Sequence, residues 1–291
     1  MSETGVPGHL AAVVGQGRDE INTAVLRTLL YADVFGYPLT LQELHRYLIG
    51  LAATRGQVAT ALQSPDLCPL LVSEPPYYAF AAGGLHFDRR RQRQQASSAL
   101  WLTAGRYARR LAMLPFVRMV AVTGSLAVDN PQAVADDLDY AIVTAPGRTW
   151  LVRMLAIALV RLARLRRVRL CPNYIMDSDH LLMADHTLFT AHELTQMVPC
   201  YGLDMHARLL AVNAWAWAYL PNAADVNVTC QIELTGAQRR LKRLAEWLLG
   251  GAWAISSNGA NVNARSGNFR ARPWRQARWP PAFPRVCARD T

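Results

Sequence analysis

Apolar residues recur at helical spacing through the first part of the chain. From Asp19 onward they return every three or four positions, which predicts a helix that ends before Pro38. Thr40 and Glu43 have the spacing of a capping box, so a second helix is expected to follow Thr40. The next predicted elements are a helix and two strands, at residues 55–63, 69–73 and 77–81.

Three short helices followed by a hairpin are the element order of a winged helix, here within residues 19–85. A winged helix can bind DNA or serve as a protein–protein or regulatory module, and the sequence leaves both functions open. The third helix would contact DNA, yet it offers few polar side chains for phosphates, namely Arg55, Gln57, Thr60 and Gln63. The polar, glycine-containing residues 1–18 are predicted to be disordered.

Strands and helices alternate in the second half of the chain. A basic run at residues 86–95, HFDRRRQRQQ, leads into a long helix that ends near Leu114. We interpret residues 86–114 as a linker between two domains rather than as a nucleic-acid contact. Strands are predicted at 116–122, 138–144 and 168–176, and helices at 149–165, 188–197 and 205–220. The pattern predicts an α+β fold with a second domain at residues 115–250.

The composition excludes several classes of protein. Hydrophobic residues make up 52% of the chain, enough for a sizeable core. The most apolar stretch, Trp150–Leu165, contains arginines and is shorter than the ~20 apolar residues of a membrane span, so we expect a largely buried helix. The N-terminal residues lack a secretory pattern, and the five scattered cysteines form no CxxC pair for zinc. We therefore predict a reduced, cytoplasmic protein without a membrane partner.

Much of the net charge of +10 lies at the C-terminus. Residues 251–291 carry seven Arg and one Asp, and they lack any helical or strand period. Shifting permitted codons for the stretch from Trp253 by two bases gives GDFLERCE, the start of a charged amphipathic helix. We interpret this irregular basic tail as the product of a shifted reading frame, with a disordered basic arm as the alternative. Stop codons in the shifted frame of the gene would exclude the first interpretation.

The segment Thr123–Val143 combines a tight turn with two carboxylates. Gly124 lets the backbone turn and approach a ligand closely. Ser125 stands where a helix would begin, so free N–H groups and its hydroxyl can hold a phosphate. Asp137 and Asp139 lie two apart at the start of a strand, so they would point to the same face, ~6.6 Å apart along the chain.

Two carboxylates on one strand face repel each other, which favours a bound cation. We expect Mg²⁺ (or Mn²⁺), because magnesium takes oxygen ligands and shares its coordination shell with substrate phosphates. Two such ions would clamp the attacking and leaving oxygens of an in-line displacement.

Other polar residues are expected to contribute less. Asp136 alternates to the opposite face and is predicted to be a surface residue. Glu193 is interpreted as a buried helix partner rather than a catalyst. Arg148 follows the second strand, where it could reach a triphosphate or be solvated or ion-paired.

The pattern of Gly-Ser, eleven residues and Asp-Leu-Asp resembles the signature of the polymerase-β nucleotidyltransferase superfamily. Stretches such as YADVFGYPLTLQEL, PFVRMVAVTGSLA and ELTQMVPCYG are similar to an uncharacterised bacterial family that joins a winged-helix-like segment to such a domain. The resemblance implies a mixed sheet with flanking helices, Gly124 and Ser125 on the phosphates of an NTP, and Asp137 and Asp139 as metal-binding catalytic residues. It also implies transfer of an NMP group to a protein side chain, a small molecule or an RNA end.

The superfamily usually places a third carboxylate on the following strand, where it can act as general base. The matching stretch, Arg169–Met176, contains no Asp or Glu, and the amide of Asn173 cannot accept a proton. Asp177 and Asp179 follow the strand and could reach in. The sequence thus predicts a metal-dependent nucleotidyltransferase, with a catalytically inactive nucleotide-sensing or DNA-binding regulator as the alternative.

Overall fold

The computed structural model describes residues 8–82, 86–132, 136–224 and 230–250, and within these ranges the fold is α+β. The proposed frame shift in residues 251–291 lies outside the described residues. The helices are α1 (Gly8–Asp33), α2 (Leu41–Arg46), α3 (Arg55–Ala61), α4 (Phe87–Met113), α5 (Gly124–Ala127), α6 (Thr149–Leu165), α7 (Leu188–Gln196), α8 (Leu203–Val212), α9 (Ala216–Tyr219) and α10 (Gly236–Gly250). The strands are β1 (Leu39–Thr40), β2 (Leu71–Glu74), β3 (Tyr77–Phe80), β4 (Val117–Thr123), β5 (Leu138–Thr144), β6 (Leu170–Asp177) and β7 (Val198–Tyr201).

The first helix is longer than the sequence pattern predicts. It begins at Gly8, so residues 8–18 are helical and the expectation of disorder is wrong for them; residues 1–7 lie outside the described part. Once a helix has formed on its packed residues, each added residue gains one hydrogen bond at little further cost, which allows this extension.

The N-terminal helices pack around a small antiparallel sheet of order β1-β3-β2. The predicted capping box is confirmed, because the Thr40 hydroxyl accepts the Glu43 amide at 3.2 Å and the Glu43 carboxylate accepts the Thr40 amide at 2.8 Å. Apolar residues that face inward from α1, α2 and α3 form the core beneath this sheet, among them Val25, Leu44 and Val58.

The basic run at the start of α4 makes internal contacts. Arg90 is 2% exposed, and it forms an ion pair with Glu43 at 2.8 Å and donates to the Asp129 carbonyl at 2.7 Å. Arg91 pairs with Glu74 at 2.6 Å. These side chains connect α4 to the N-terminal sheet and to the loop after α5.

The second sheet has the order β6-β5-β4-β7, in which β5 and β6 are parallel and the other pairs antiparallel. Alternate residues of β4 point to opposite faces of the sheet and belong to two hydrophobic cores. Val120 and Val122 pack in the core with α4 and α6, whereas Met119 and Ala121 pack in the core with α7 and α8. The edge strand β7 was not predicted. The helix expected at 205–220 is interrupted at Asn213, whose side-chain amide donates to the Leu181 carbonyl at 2.8 Å.

Helix α10 is held against the sheet by Lys242, the single lysine of the chain. This residue is 6% exposed, and its ammonium group donates to the carbonyls of Ala112 at 2.7 Å and Val117 at 2.6 Å. A cation at these positions neutralises the carbonyl end of α4, where the helix dipole is negative. Within the described residues, no helix is long and apolar enough to cross a membrane.

Candidate functional site

Gly124 and Asp139 meet where β4 ends and β5 begins. Their strands pair so that Thr123 lies opposite Asp139. Gly124 has a φ of +68°, and a Cβ atom at this position would lie 2.5 Å from Oδ2 of Asp139. Only glycine satisfies both conditions without strain, so the backbone turn and the carboxylate form one compact unit.

Ser125 follows directly in the first turn of α5. It is 5% exposed, and its hydroxyl donates to Oδ2 of Asp136 at 3.2 Å. The same carboxylate oxygen accepts the Gln132 amide at 2.8 Å. Asp136 therefore turns toward Ser125 rather than to the expected opposite face, although it stays partly exposed. The reason is that β5 begins only at Leu138, so strand alternation does not govern Asp136.

Asp137 is exposed at the edge of the site. Its Oδ1 lies 2.8 Å from Nε of Arg169, with about half of each side chain open to solvent (52% and 60%). An exposed ion pair of this kind contributes ~0.2–1 kcal/mol, so another cation could replace the guanidinium at little cost. Arg169 was not singled out from the sequence, because the contact depends on the pairing of β5 with β6.

Asp139 lies in an environment that disfavours its charged form. Burial raises the pKa of its carboxyl to about 7, and the negative charges of Glu193, Asp137 and Asp136 add to the effect. A hydrogen bond from Cys171 acts in the opposite direction. Four acidic side chains are thus close enough to influence one another, an arrangement that a bound cation would stabilise.

Cys171 occupies the position beside Asp139 on β6. Burial raises the pKa of its thiol to about 12, and the charge of Asp139 and the hydrogen bond to it contribute. The thiol therefore stays protonated at neutral pH and does not act as a base. The sequence placed Asn173 at the centre of this strand, but the pairing register brings Cys171 to the site instead.

Two of the three accessory residues proposed from the sequence, Asp177 and Arg148, lie away from this site. Asn173 lies at an irregularity of β6 between the partners of Tyr140 and Ala141. Asp177 pairs with Thr144, ~16 Å along the strand from Asp139, and its carboxylate accepts the Gly147 amide at 2.6 Å.

Arg148 also lies at that far end of β5. Its guanidinium donates to the Gly250 carbonyl at 2.9 Å and stacks over the Phe116 ring at 4.7 Å. Both contacts tie α6 to neighbouring elements, so Arg148 has a structural role rather than access to a triphosphate. The sequence placed Asp177 and Arg148 near the metal site because each follows a strand closely in the chain. Closeness in sequence to a strand does not show which end of that strand lies at the site.

The donor set agrees in part with a magnesium ion. Among the residues that the structure describes, no three His, Cys, Asp or Glu side chains are grouped to hold a metal by themselves. Magnesium, however, is usually bound by one or two carboxylates and completed by substrate phosphates and water. The crowded carboxylates around Asp139 fit this kind of site, and the buried Thr123 hydroxyl opposite Asp139 lacks a hydrogen-bond partner in the described part of the chain.

A cleft opens beside Ser125, between the N-terminal helices and α7. It encloses about 700 Å³ of empty space, including the solvent at its mouth, and Gly124, Ser125 and Glu193 contribute to its wall. We call it the aromatic cleft, because six rings line it: Tyr31, Phe35, Tyr37, Tyr47, Phe189 and His192. The N-terminal helices and the turn that carries Ser125 therefore both contribute to the wall of this cleft.

Glu193 brings a carboxylate from α7 to this cleft. Burial raises the pKa of the side chain to about 7. Within the described ranges, no hydrogen bond or ion pair to its carboxylate is present. It is a helix residue shielded from solvent, as expected, but without the expected partner among the described residues, and its proximity to Asp139 could not be deduced from local sequence because α7 lies far along the chain.

No protein-family model, curated protein or solved structure matches the chain. The chemical meaning of the site accordingly comes from its own residues: a glycine turn against a half-buried carboxylate, a serine hydroxyl that donates to an acid, and an adjoining cleft whose glutamate has no ion pair among the described residues.

Proposed function

We propose that the chain is a metal-dependent nucleotidyltransferase that moves an NMP group from an NTP to an acceptor. The contact between the Gly124 backbone and the Asp139 carboxylate is the observation that carries this proposal. It joins a turn suited to the close approach of a phosphate to the acid that would hold the metal. The four-stranded sheet with one antiparallel and one parallel neighbour of β5 supports the same assignment.

Each residue of the turn has a distinct part in binding the NTP. Gly124 gives the turn its left-handed backbone and leaves room for the Asp139 carboxylate, and the Ser125 hydroxyl, which here donates its proton to Asp136, would turn to donate it to a phosphate oxygen. Asp137 and Asp139 would hold Mg²⁺ or Mn²⁺, whose charge, when bound, offsets that of the phosphates. Arg169 lies beside Asp137 and adds positive charge at the mouth of the site.

The transfer itself is a substitution at phosphorus. The acceptor's nucleophilic atom forms a bond to the α-phosphorus, and the bond from that phosphorus to the bridging oxygen breaks. Pyrophosphate leaves with the bonding electron pair, and the proton of the acceptor passes to solvent water. Positioning and electrostatic stabilisation provide most of the rate in such reactions, so a strong protein base is not essential.

Helices α1, α2 and α3 lie beside the β1-β3-β2 sheet, and this arrangement supports the proposal that the N-terminal residues up to β3 form a winged-helix-like unit. Two of the polar residues of α3 are already engaged within their own helix: Gln57 accepts the Thr54 amide at 2.8 Å, and Thr60 donates to the Gly56 carbonyl at 3.1 Å. This leaves few groups for DNA, so we assign the unit a role as wall of the aromatic cleft.

A nucleotide-sensing regulator without turnover is the second candidate, and Cys171 is the observation that favours it. A protonated thiol stands beside Asp139 where a third carboxylate would assist the reaction. Such a protein would bind NTP through the same turn and release it unchanged.

The test uses the full chain with each of the four NTPs, labelled on the α-phosphate, and with Mg²⁺ or Mn²⁺. Binding is measured by calorimetry, and transfer by the appearance of label on protein, RNA or small molecules. The double variant Asp137→Asn with Asp139→Asn should abolish transfer. A charge-matched control replaces the exposed carboxylates of Asp66 and Glu233 by amides and should transfer at the wild-type rate.

Three results separate the candidates. Label transfer that depends on Asp137 and Asp139 supports the enzyme. NTP binding without transfer favours the sensor, and in that case duplex DNA at physiological salt shows whether the sensor also contacts DNA. Absence of binding by every NTP rules out both, and transfer that survives the double variant shows that the site has been misassigned.

A further inference from the structure

The charge of the aromatic cleft is unusual for a site beside a phosphate-binding turn. Among the described residues that line it, none is Arg or Lys, and Glu193 is the single acidic one. Burial lowers the pKa of His192 to about 4, so this ring is neutral at physiological pH. Away from Gly124 and Ser125, the cleft therefore offers no positive charge to a phosphate and suits a neutral or positively charged group.

Glu193 lines the cleft and has no partner of opposite charge among the described residues. Burying a carboxylate without an opposite charge is costly, and the common solution in proteins is an ion pair. The other ionisable residues that line the cleft cannot supply a positive charge near neutral pH; they are Tyr31, Tyr37, Tyr47 and His192. The described residues of the cleft thus give Glu193 no opposite charge, so a cation bound in the cleft would be its ion-pair partner.

The aromatic rings provide a second feature that suits an organic cation. The rings of Tyr31 and His192 stack at 4.3 Å, and the Tyr47 ring lies 5.8 Å from that of His192. Phe189 is 38% exposed at the same wall. Ring faces attract ammonium groups by cation–π interaction, and they also cover the apolar part of such a ligand.

We propose that the aromatic cleft binds a small organic cation, an amine whose ammonium group pairs with the Glu193 carboxylate between the aromatic rings. A hydrated metal ion would gain little from such apolar walls, whereas an amine with a carbon skeleton uses both features. The next step rests on the proposed nucleotidyl transfer. Because the cleft adjoins Ser125, this amine is the acceptor of the NMP group. An ammonium group has no free electron pair, so it anchors the acceptor and a different group of the molecule reacts.

The binding test compares two probes of similar shape, benzylamine, which is positively charged at pH 8, and benzyl alcohol, which is neutral. Calorimetry on the full wild-type chain should show benzylamine binding at least tenfold more tightly. In Glu193→Gln, the affinity for benzylamine should fall at least tenfold, to that of the alcohol, while the alcohol is unaffected. Glu233→Gln, which removes an exposed carboxylate, should bind both probes as the wild type does.

A second variant covers the case in which Glu193→Gln does not fold. Phe189→Leu removes an exposed ring while keeping an apolar side chain, and it should weaken benzylamine binding at least threefold. The proposal is overturned if the two probes bind the wild type equally, if neither binds, or if benzylamine affinity is unchanged in every folded variant.

A parallel titration with ATP and Mg²⁺ separates this site from the proposed function. If ATP does not bind but benzylamine binding depends on Glu193, the cation site stands and nucleotidyl transfer falls. If ATP binds and benzylamine does not, the cation site is wrong and the nucleotide site stands.

Discussion

Gly124 and Asp139 are packed so closely that no side chain fits between them, since a Cβ on Gly124 would lie 2.5 Å from Oδ2 of Asp139. Gly147 provides a matched control, because it has nearly the same φ (+67° against +68°) but open space where its Cβ would be. Gly147→Ala should cost only the ~1–2 kcal/mol of a left-handed backbone. Gly124→Ala should cost ~1–3 kcal/mol more from overpacking. Urea unfolding measures both, and equal losses would show that the close contact is absent.

Cys171 tests whether a proton acceptor is missing from the site. Cys171→Asp would place a carboxylate next to Asp139 on the neighbouring strand. If the chain transfers nucleotides, the rate of label transfer should rise on the order of tenfold or more, because general base catalysis becomes available. Cys171→Ser keeps the size without adding a base and should leave the rate unchanged. A slower Cys171→Asp enzyme would mean that added negative charge outweighs the base.

The stability of the protein should depend on pH through Glu193. Burial raises the pKa of this carboxyl from 4.5 to about 7, so between these values the folded state binds more protons than the unfolded state. The free energy of unfolding therefore falls as pH rises through this window, and the loss is complete above pH ~7.

Glu193→Gln removes the part of this dependence that Glu193 contributes, while Asp139, whose carboxyl pKa burial also raises to about 7, keeps its own part. Relative to wild type, the variant should gain on the order of 3 kcal/mol between pH 4.5 and 8, given the rise from 4.5 to about 7 at ~1.4 kcal/mol per pKa unit. His192 and His206, whose pKa values burial lowers to about 4, act in the opposite direction in both proteins and cancel in the difference. Urea unfolding at several pH values gives the comparison. A constant difference would show that the carboxyl is not buried in this way.

Arg90 should be among the most sensitive positions of the basic run. Its buried guanidinium pairs with Glu43 and donates to the Asp129 carbonyl, so Arg90→Met leaves an unpaired, half-buried carboxylate. The expected loss of stability is ~3–5 kcal/mol. Arg89→Met, at the exposed neighbouring position, should change stability by less than ~0.5 kcal/mol. Similar losses in the two variants would contradict the buried network.

Features that depend on nearby residues were predictable from the sequence. The Thr40–Glu43 capping box spans three positions, and both of its hydrogen bonds are present. The strand over residues 138–144 was likewise predicted with its observed bounds, because it is a short apolar run between polar turns. Local hydrogen bonding and hydrophobic periodicity are sufficient for such elements.

The partners of Asp139 could not be predicted in this way. Cys171 reaches it through the register of two parallel strands, which are connected by a long helix. Glu193 reaches it through the packing of α7 against α5, and local sequence carries no information about this contact. The sequence therefore pointed to the turn and the two aspartates as candidates, and the fold brings Gly124 against Asp139, while the cleft and its glutamate required the three-dimensional fold.

Lys242 has a practical consequence for following the protein in solution. It carries the single side-chain amine of the chain, and two backbone carbonyls occupy its hydrogens in the folded state. Amine-reactive acylating reagents and lysine-specific proteases can therefore act there only after α10 separates from the sheet. The rate of modification at this one residue reports how often that separation occurs, without any engineered label.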